Sequence, residues 1–252
     1  MFGRLPLVGL VNIARGEHHG MHLGLANWAT GNFAGIQMGL VNRTIGDTVG
    51  FQAGLVNTTS GDTAGFQAGL VNTTSGELAG FQVGLINYAD SIDDDERSIP
   101  IGIISIVRNG GYQAVEYVFS EFYPVQLAVK LGVEKFYTSI IVACNPGNGS
   151  NIDRFAAGLG VGSILPIDKS FFLNPEIDCM TVPLGNMRTS LVPFAGYSIG
   201  RNFAFTLGPS VTWTHAHKND VLRKPFLGIY EHIVNSNNSI VVGVRAGIRL
   251  RL

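Results

Sequence analysis

Gly50-Phe51-Gln52-Ala53-Gly54-Leu55-Val56-Asn57-Thr58-Thr59-Ser60-Gly61-Asp62-Thr63-Ala64 runs directly into a second copy, residues 65–79, that differs only at Glu77 and Leu78. Older-looking copies start at Leu5, Gly20 and Gly35, and a last one starts at Gly80. A fixed period of this kind means one structural unit repeated in space. Across 63–72, Ala64, Phe66, Ala68 and Leu70 point one way in an extended chain, and Thr63, Gly65, Gln67, Gly69 and Val71 point the other. Each unit therefore has one apolar wall and one small or polar wall. The next residues, Thr73-Thr74-Ser75-Gly76-Glu77, are turn formers.

About ten strand residues and five turn residues are the spacing of an up-and-down meander. Ten is also about the length of a tilted strand that crosses a bilayer. The expected fold is all-β: an antiparallel transmembrane β-barrel of about 14–16 strands. It would be one domain over 1–252, with a repeat-built part (5–94) and a non-repetitive part (99–252). The alternative is an N-terminal 15-residue-repeat β-solenoid followed by a C-terminal 8-stranded barrel. There Asn12, Asn27, Asn42, Asn57, Asn72 and Asn87 would form a ladder, with the Leu and Phe columns lining the interior. The sequence counts against the solenoid because Thr-Thr-Ser-Gly-Asp supplies almost no apolar inward side chains.

Composition agrees with a membrane barrel. Only 14% of the 252 residues are charged and mean hydropathy is +0.25, against about 25% charged in ordinary soluble domains. The longest apolar run, 99–107, contains Pro100 and Gly102 and is about half of what a membrane helix needs. Apolar character spread over alternate positions is the mark of lipid-facing strands. A net charge of −1 argues against nucleic acid as a partner. Cys144 and Cys179 are far apart and outside any CxxC pattern, so one disulfide or two free thiols are both open. Leu5 to Ala14 has the look of a short signal peptide, but its register assigns it to the first repeat. An export signal is expected to have been removed upstream of Met1.

Beyond the acidic run Asp93-Asp94-Asp95-Glu96, read as a solvated loop, the segment from Ile101 to Ser105 looks like a decayed seventh copy. Alternation then continues without the repeat, over about eight strands. The last strand is the clearest: Val244, Ala246, Ile248, Leu250 and Leu252 oppose Arg245, Gly247, Arg249 and Arg251. The expected lumen-lining residues are Lys130, Arg154, Arg245, Arg249, Arg251, Gln52 and Gln67, with Glu116 beside them. In a small barrel these cations would pair with carboxylates and plug the lumen. In a barrel of about 16 strands they would line water and favour anions.

The unit GFQxGLVN, the stretch IPIGIISIVRNGGY (99–112), KFYT (135–138), SFFLNPEI (170–177) and FTLGPSV (205–211) together resemble a group of repeat-bearing outer-membrane or surface proteins of Gram-negative bacteria. The resemblance runs over nearly the whole chain. It implies a surface or outer-membrane location and no catalytic residue to carry over; the expected partners are outer-membrane lipid, the outer-membrane insertion machinery and a membrane protein complex.

The other chemical signals are weak. His18, His19 and His22 occupy repeat positions, with His22 where Gln usually stands. His215 and His217 alternate near a turn with no third ligand in view. Ser210 and His215 lack an elbow motif, and Gly158-Leu159-Gly160-Val161-Gly162 lacks the helix of a dinucleotide site. The reading is of a non-enzyme without cofactor or metal: a porin-like passive channel or a structural outer-membrane component. The alternative is a surface-exposed repeat acting as an interaction or adhesion module.

Overall fold

The computed structural model describes residues 6–93, 98–146, 154–182, 186–215 and 225–252. Every regular element among them is a strand. The chain divides into two units, 1–111 and 112–252.

In the first unit the repeats stack as coils of a solenoid. They pair in parallel with a constant offset of 15 residues, Gly35↔Gly50↔Gly65 and Asn42↔Asn57↔Asn72. A representative coil is a strand Thr48–Ala53, a corner at Gly54-Leu55, a second strand Val56–Thr59, and a turn at 60–62. The ten-residue strand expected from the sequence is thus broken at its middle glycine. This corrects the large meander: the repeats add no strand to a barrel wall. Ile99–Ile101 and Ile104–Asn109 pair with the preceding coil and continue the stack.

The interior is polar. Thr48, Gln52, Asn57 and Thr59 are fully or almost fully buried, as are their equivalents in the next coil. Each Asn Nδ2 donates to the next Asn Oδ1 at 2.8–2.9 Å and to a backbone carbonyl eleven residues ahead. Gln52, Gln67 and Gln82 form a second ladder with 2.7–2.8 Å steps that begins on Gln37. Thr48 and Thr59 close the gap between walls at 2.9 Å. A buried polar group costs little when its bonds are made, so the core needs no apolar filling. The Leu and Phe columns, expected inside, lie outside. Leu40, Leu55, Leu70 and Leu85 are each about half exposed, and Val49 and Phe81 stand out from the wall. The turn opposite the Leu corner carries Asp47 and Asp62, whose Oδ1 atoms accept the backbone N–H of the next coil at 2.9 and 2.7 Å.

The second unit is an antiparallel barrel of eight strands: Tyr112–Phe119, Val125–Val133, Phe136–Cys144, Phe155–Gly162, Phe171–Val182, Asn186–Ile199, Phe203–His215 and Asn238–Arg251. Each pairs with the next in that order, and Tyr112–Phe119 pairs with Asn238–Arg251 to close the ring. Eight strands leave an interior just wide enough for side chains. At outward positions of these strands there is no Lys, Arg, Asp or Glu among the described residues. Leu127, Leu159, Ile177, Leu207 and Ile248 stand out at mid-height, each two-fifths exposed or more. Phe171, Tyr197 and Phe203 ring one end on the outside, and Phe155 and Trp213 stand near the other.

Candidate functional site

The barrel lumen gathers the charged residues. Period-two alternation along Asn238–Arg251 sends Arg245 and Arg249 inward. Gly247 lies between them because a Cβ there would sit 2.8 Å from Glu116 Oε1 and 2.5 Å from Thr206 Oγ1. The glycine makes room for an acid to meet the arginine.

Two clusters result. Towards the barrel end that carries Tyr112 and Leu252, Glu116 accepts from Thr206 Oγ1 at 2.6 Å and from Arg249 at 2.9 Å, and it pairs with Lys130 Nζ. Lys130 also pairs with Glu176, and Asn174 bonds both Arg249 and Tyr137. Further along, Arg245 donates to Glu121 at 2.9 and 3.1 Å, to Asp178 at 2.6 Å and to Ser190 at 2.6 Å. Arg188 donates to Tyr123 Oη at 2.7 Å and lies over the Phe122 ring at 4.7 Å. The pairs reach across the barrel: Glu176 and Asp178, on the fifth strand, meet cations from the second and eighth.

Among the described residues the buried cations of the barrel are Lys130, Arg188, Arg245 and Arg249. The buried carboxylates are Glu116, Glu121, Glu176 and Asp178. Four meets four, so the lumen is neutral and filled by its own side chains. Of the two lumens considered from the sequence, this is the plugged small barrel rather than the wide, anion-favouring one.

The remaining lumen candidates lie elsewhere. Arg251 is half exposed at the barrel end and bonds Glu134 at 2.5 Å. Arg154 precedes the strand Phe155–Gly162 and is partly buried; its Nε has no hydrogen-bond partner. Gln52 and Gln67 belong to the solenoid ladder and not to the barrel. Cys144 and Cys179 are free thiols. Two other readings, Asp94-Asp95-Glu96 of the acidic run and His217, lie outside the described residues. His215 bonds Asn238 at 3.0 Å on the outer surface.

The sequence reading missed Glu121, Asn174, Glu176, Asp178 and Arg188. Asn174, Glu176 and Asp178 fall on alternate positions of one strand, which is a readable inward signal. Arg188 and Ser190 do the same on the next strand. Glu121 carries no such signal, because it lies past the end of its strand and is nevertheless buried.

His18 and His22 are buried in the first coils, against Phe33 and each other, with centroids 4.6 Å apart. No group of three or more His, Cys, Asp or Glu that could hold a metal occurs among the described residues. His22 stands at the head of the Gln ladder, 3.4 Å from Gln37 Nε2. Burial, and then the neighbouring His18, push its pKa down from 6.5 to about 4. The folded state therefore favours neutral His22. The stability this gives is present above pH ~6.5 and is lost as pH falls from there towards about 4. His22→Gln is expected to restore the ladder and to flatten that acid limb. Unfolding midpoints recorded between pH 4 and 8 for both proteins check it, and parallel curves count against the assignment.

No protein-family model, no curated protein and no solved structure matches this chain.

Proposed function

We propose that this protein resides in the outer membrane of a Gram-negative bacterium as a structural β-barrel component, with its solenoid also held against lipid. One observation carries the reading: both units are polar within and apolar without. In water the hydrophobic effect drives the opposite arrangement, and contiguous exposed apolar surface marks an interaction face. In a barrel wall, an uncharged outer band between aromatic residues is what a bilayer selects. Phe205 and Trp213, eight residues apart on one strand, span about 27 Å at ~3.4 Å per residue. At a tilt of about 40° that is roughly 20 Å of height, close to the ~25 Å apolar band of such barrels. The solenoid presents apolar columns on both walls and at the Leu corner, while Asp47 and Asp62 keep to the opposite turn. A single protein partner covers one face; lipid covers three.

The neutral, side-chain-filled lumen favours a structural component over a passive channel. The refolded protein is expected to give no step conductance in planar bilayers; regular openings would restore the channel reading.

Placement is tested by charge insertion. Leu207→Arg on the barrel exterior should cost about 2–4 kcal/mol in a bilayer near mid-height, but within ~0.5 kcal/mol if that face meets water. Leu55→Arg asks the same of the solenoid corner. Unfolding in lipid vesicles gives both values. A protein that stays monodisperse without detergent, with both substitutions silent, overturns the membrane reading. Loss at Leu207 alone returns the solenoid to the role of a surface interaction module.

A further inference from the structure

The barrel end that carries Tyr112 and Leu252 holds a cavity of about 570 Å³, within the range of small-molecule sites. Ile164, Phe172 and Ala204 give it apolar wall. Lys169, Arg201, Arg249 and Arg251 give it four cations. The two acids in its wall are already engaged. Glu134 bonds Arg251 at 2.5 Å, and Asp168 accepts the backbone N–H of Ser170 and Phe171, both at 2.7 Å. Those two bonds hold the Asp168 carboxyl below the usual carboxylate range. Lys169 and Arg201 make no ion pair among the described residues.

Two wall residues, each 97% buried, carry a polar atom with no partner: Tyr112 Oη and Arg249 Nε. Both groups donate. Arg249 spends its Nη2 on Glu116 and Asn174, leaving Nε over. A buried donor left unmade is costly, and each one in a folded protein calls for an explanation. Both atoms are closed to a water-sized group in this structure, so an oxygen acceptor seated in the cavity satisfies them only after the wall side chains shift. With Arg249 held by Glu116 and Arg251 by Glu134, the cations left over, Lys169 and Arg201, set its charge, and the Phe and Ile side chains set its body.

We propose that this end of the barrel binds an oxyanion carried on an apolar body, a carboxylate or phosphate amphiphile, with Tyr112 and Arg249 donating to its charged oxygens. The site is independent of the membrane reading, because every group in it belongs to the barrel itself. The ligand has two possible sources: the headgroup of a lipid, or a free small anion.

The test is calorimetric titration of the full chain, in whichever soluble or detergent form it purifies, with 4-phenylbutyrate and separately with inorganic phosphate. Phenylbutyrate is expected to bind. Tyr112→Phe removes a hydroxyl with no protein partner, so the variant should fold and melt at or above the wild-type temperature. Its affinity should fall about tenfold or more, the worth of a hydrogen bond to a charged group. Arg201→Gln, on the rim, should weaken binding to a smaller and salt-dependent extent. The proposal is overturned if phenylbutyrate does not bind the wild type, or if Tyr112→Phe binds it equally well. Phosphate binding as tight as phenylbutyrate overturns the amphiphile. Repeating the titration in nanodiscs with and without phosphatidylglycerol separates the sources. Weaker apparent binding with the anionic lipid present assigns the site to a headgroup, unchanged binding assigns it to a free anion, and either keeps the oxyanion site.

Discussion

Arg245→Ala is expected to destabilise the barrel by about 3–5 kcal/mol, the usual cost of breaking a buried ion pair from one side. Arg245 is fully buried and holds Glu121 and Asp178 together with Ser190. Without it, two carboxylates remain in the lumen with one cation too few, and both must take up protons or draw in water. The effect should shrink when the acids are removed too. Arg245→Met with Glu121→Gln and Asp178→Asn should recover most of the loss, because a buried charge network is far costlier to leave half made than to replace. The chain has two tryptophans, Trp28 in the solenoid and Trp213 on the barrel wall. Removing each by Trp→Phe in turn lets urea unfolding of each unit be followed by fluorescence. Arg245→Ala should move the Trp213 transition and leave that of Trp28 in place. A Trp213 midpoint unchanged from wild type would mean that the lumen pairs contribute nothing.

The 15-residue period was legible because it is written in identical side chains, and so were the two walls of each unit. What could not be read was how the unit connects. A ten-residue alternation is the same pattern whether the strand runs straight through a bilayer or turns a corner at Gly54-Leu55, since glycine is at home in both. The rule that cores are apolar then placed the Leu and Phe columns inside. Asn57 and Gln52 won the interior because each finds its own copy 15 residues away at hydrogen-bonding distance, and Thr59 because it donates to Gln52 of its own coil. An identical repeat is the one setting in which amide side chains can satisfy each other indefinitely along a stack. The asparagine column carried this signal, and the glutamine column carried it equally.

In the barrel the inward cations were legible from strand alternation, which is why Lys130, Arg245 and Arg249 were found. Their partners were harder. Glu116 is legible beside Lys130, but Glu176 and Asp178 sit on a strand far away in sequence, and Arg245 is 67 residues from Asp178 and 124 from Glu121. Alternation fixes the side of the wall but not the height, and ion pairing needs both. The neutral lumen then follows from counting: in a barrel of eight strands there is no room for unpaired charge. The eight strands of the non-repetitive half are countable in the sequence, and the alternative of a solenoid with an 8-stranded barrel has the observed architecture; only adding the repeats to the same wall widens the lumen to about 14–16 strands.

Gly65→Ala is expected to cost the solenoid more than 3 kcal/mol and to uncouple its coils. Gly65 has φ of +139°, and a Cβ there would lie 2.1 Å from the carbonyl oxygen of Gly50 in the coil below. That oxygen belongs to backbone held in a parallel ladder, so it has nowhere to move. The same close approach recurs at Gly35, Gly50 and Gly80, each within 2.2 Å of the carbonyl of the preceding coil's glycine. A defect in the middle of a one-dimensional stack removes two nearest-neighbour interfaces at once and leaves each remnant shorter. Gly16→Ala separates this from backbone strain. Gly16 also has positive φ, +79°, but nothing lies within 4 Å of its missing Cβ. It should cost only the left-handed penalty of about 1–2 kcal/mol. The Trp28 transition in urea, followed in the Trp213→Phe background, measures both variants. Equal losses at Gly65 and Gly16 would show that conformation, and not contact between coils, selects the glycine column. A markedly larger loss at Gly65 is the result that the stacking demands, because the ladders of Asn and Gln can form only where the backbones approach this closely.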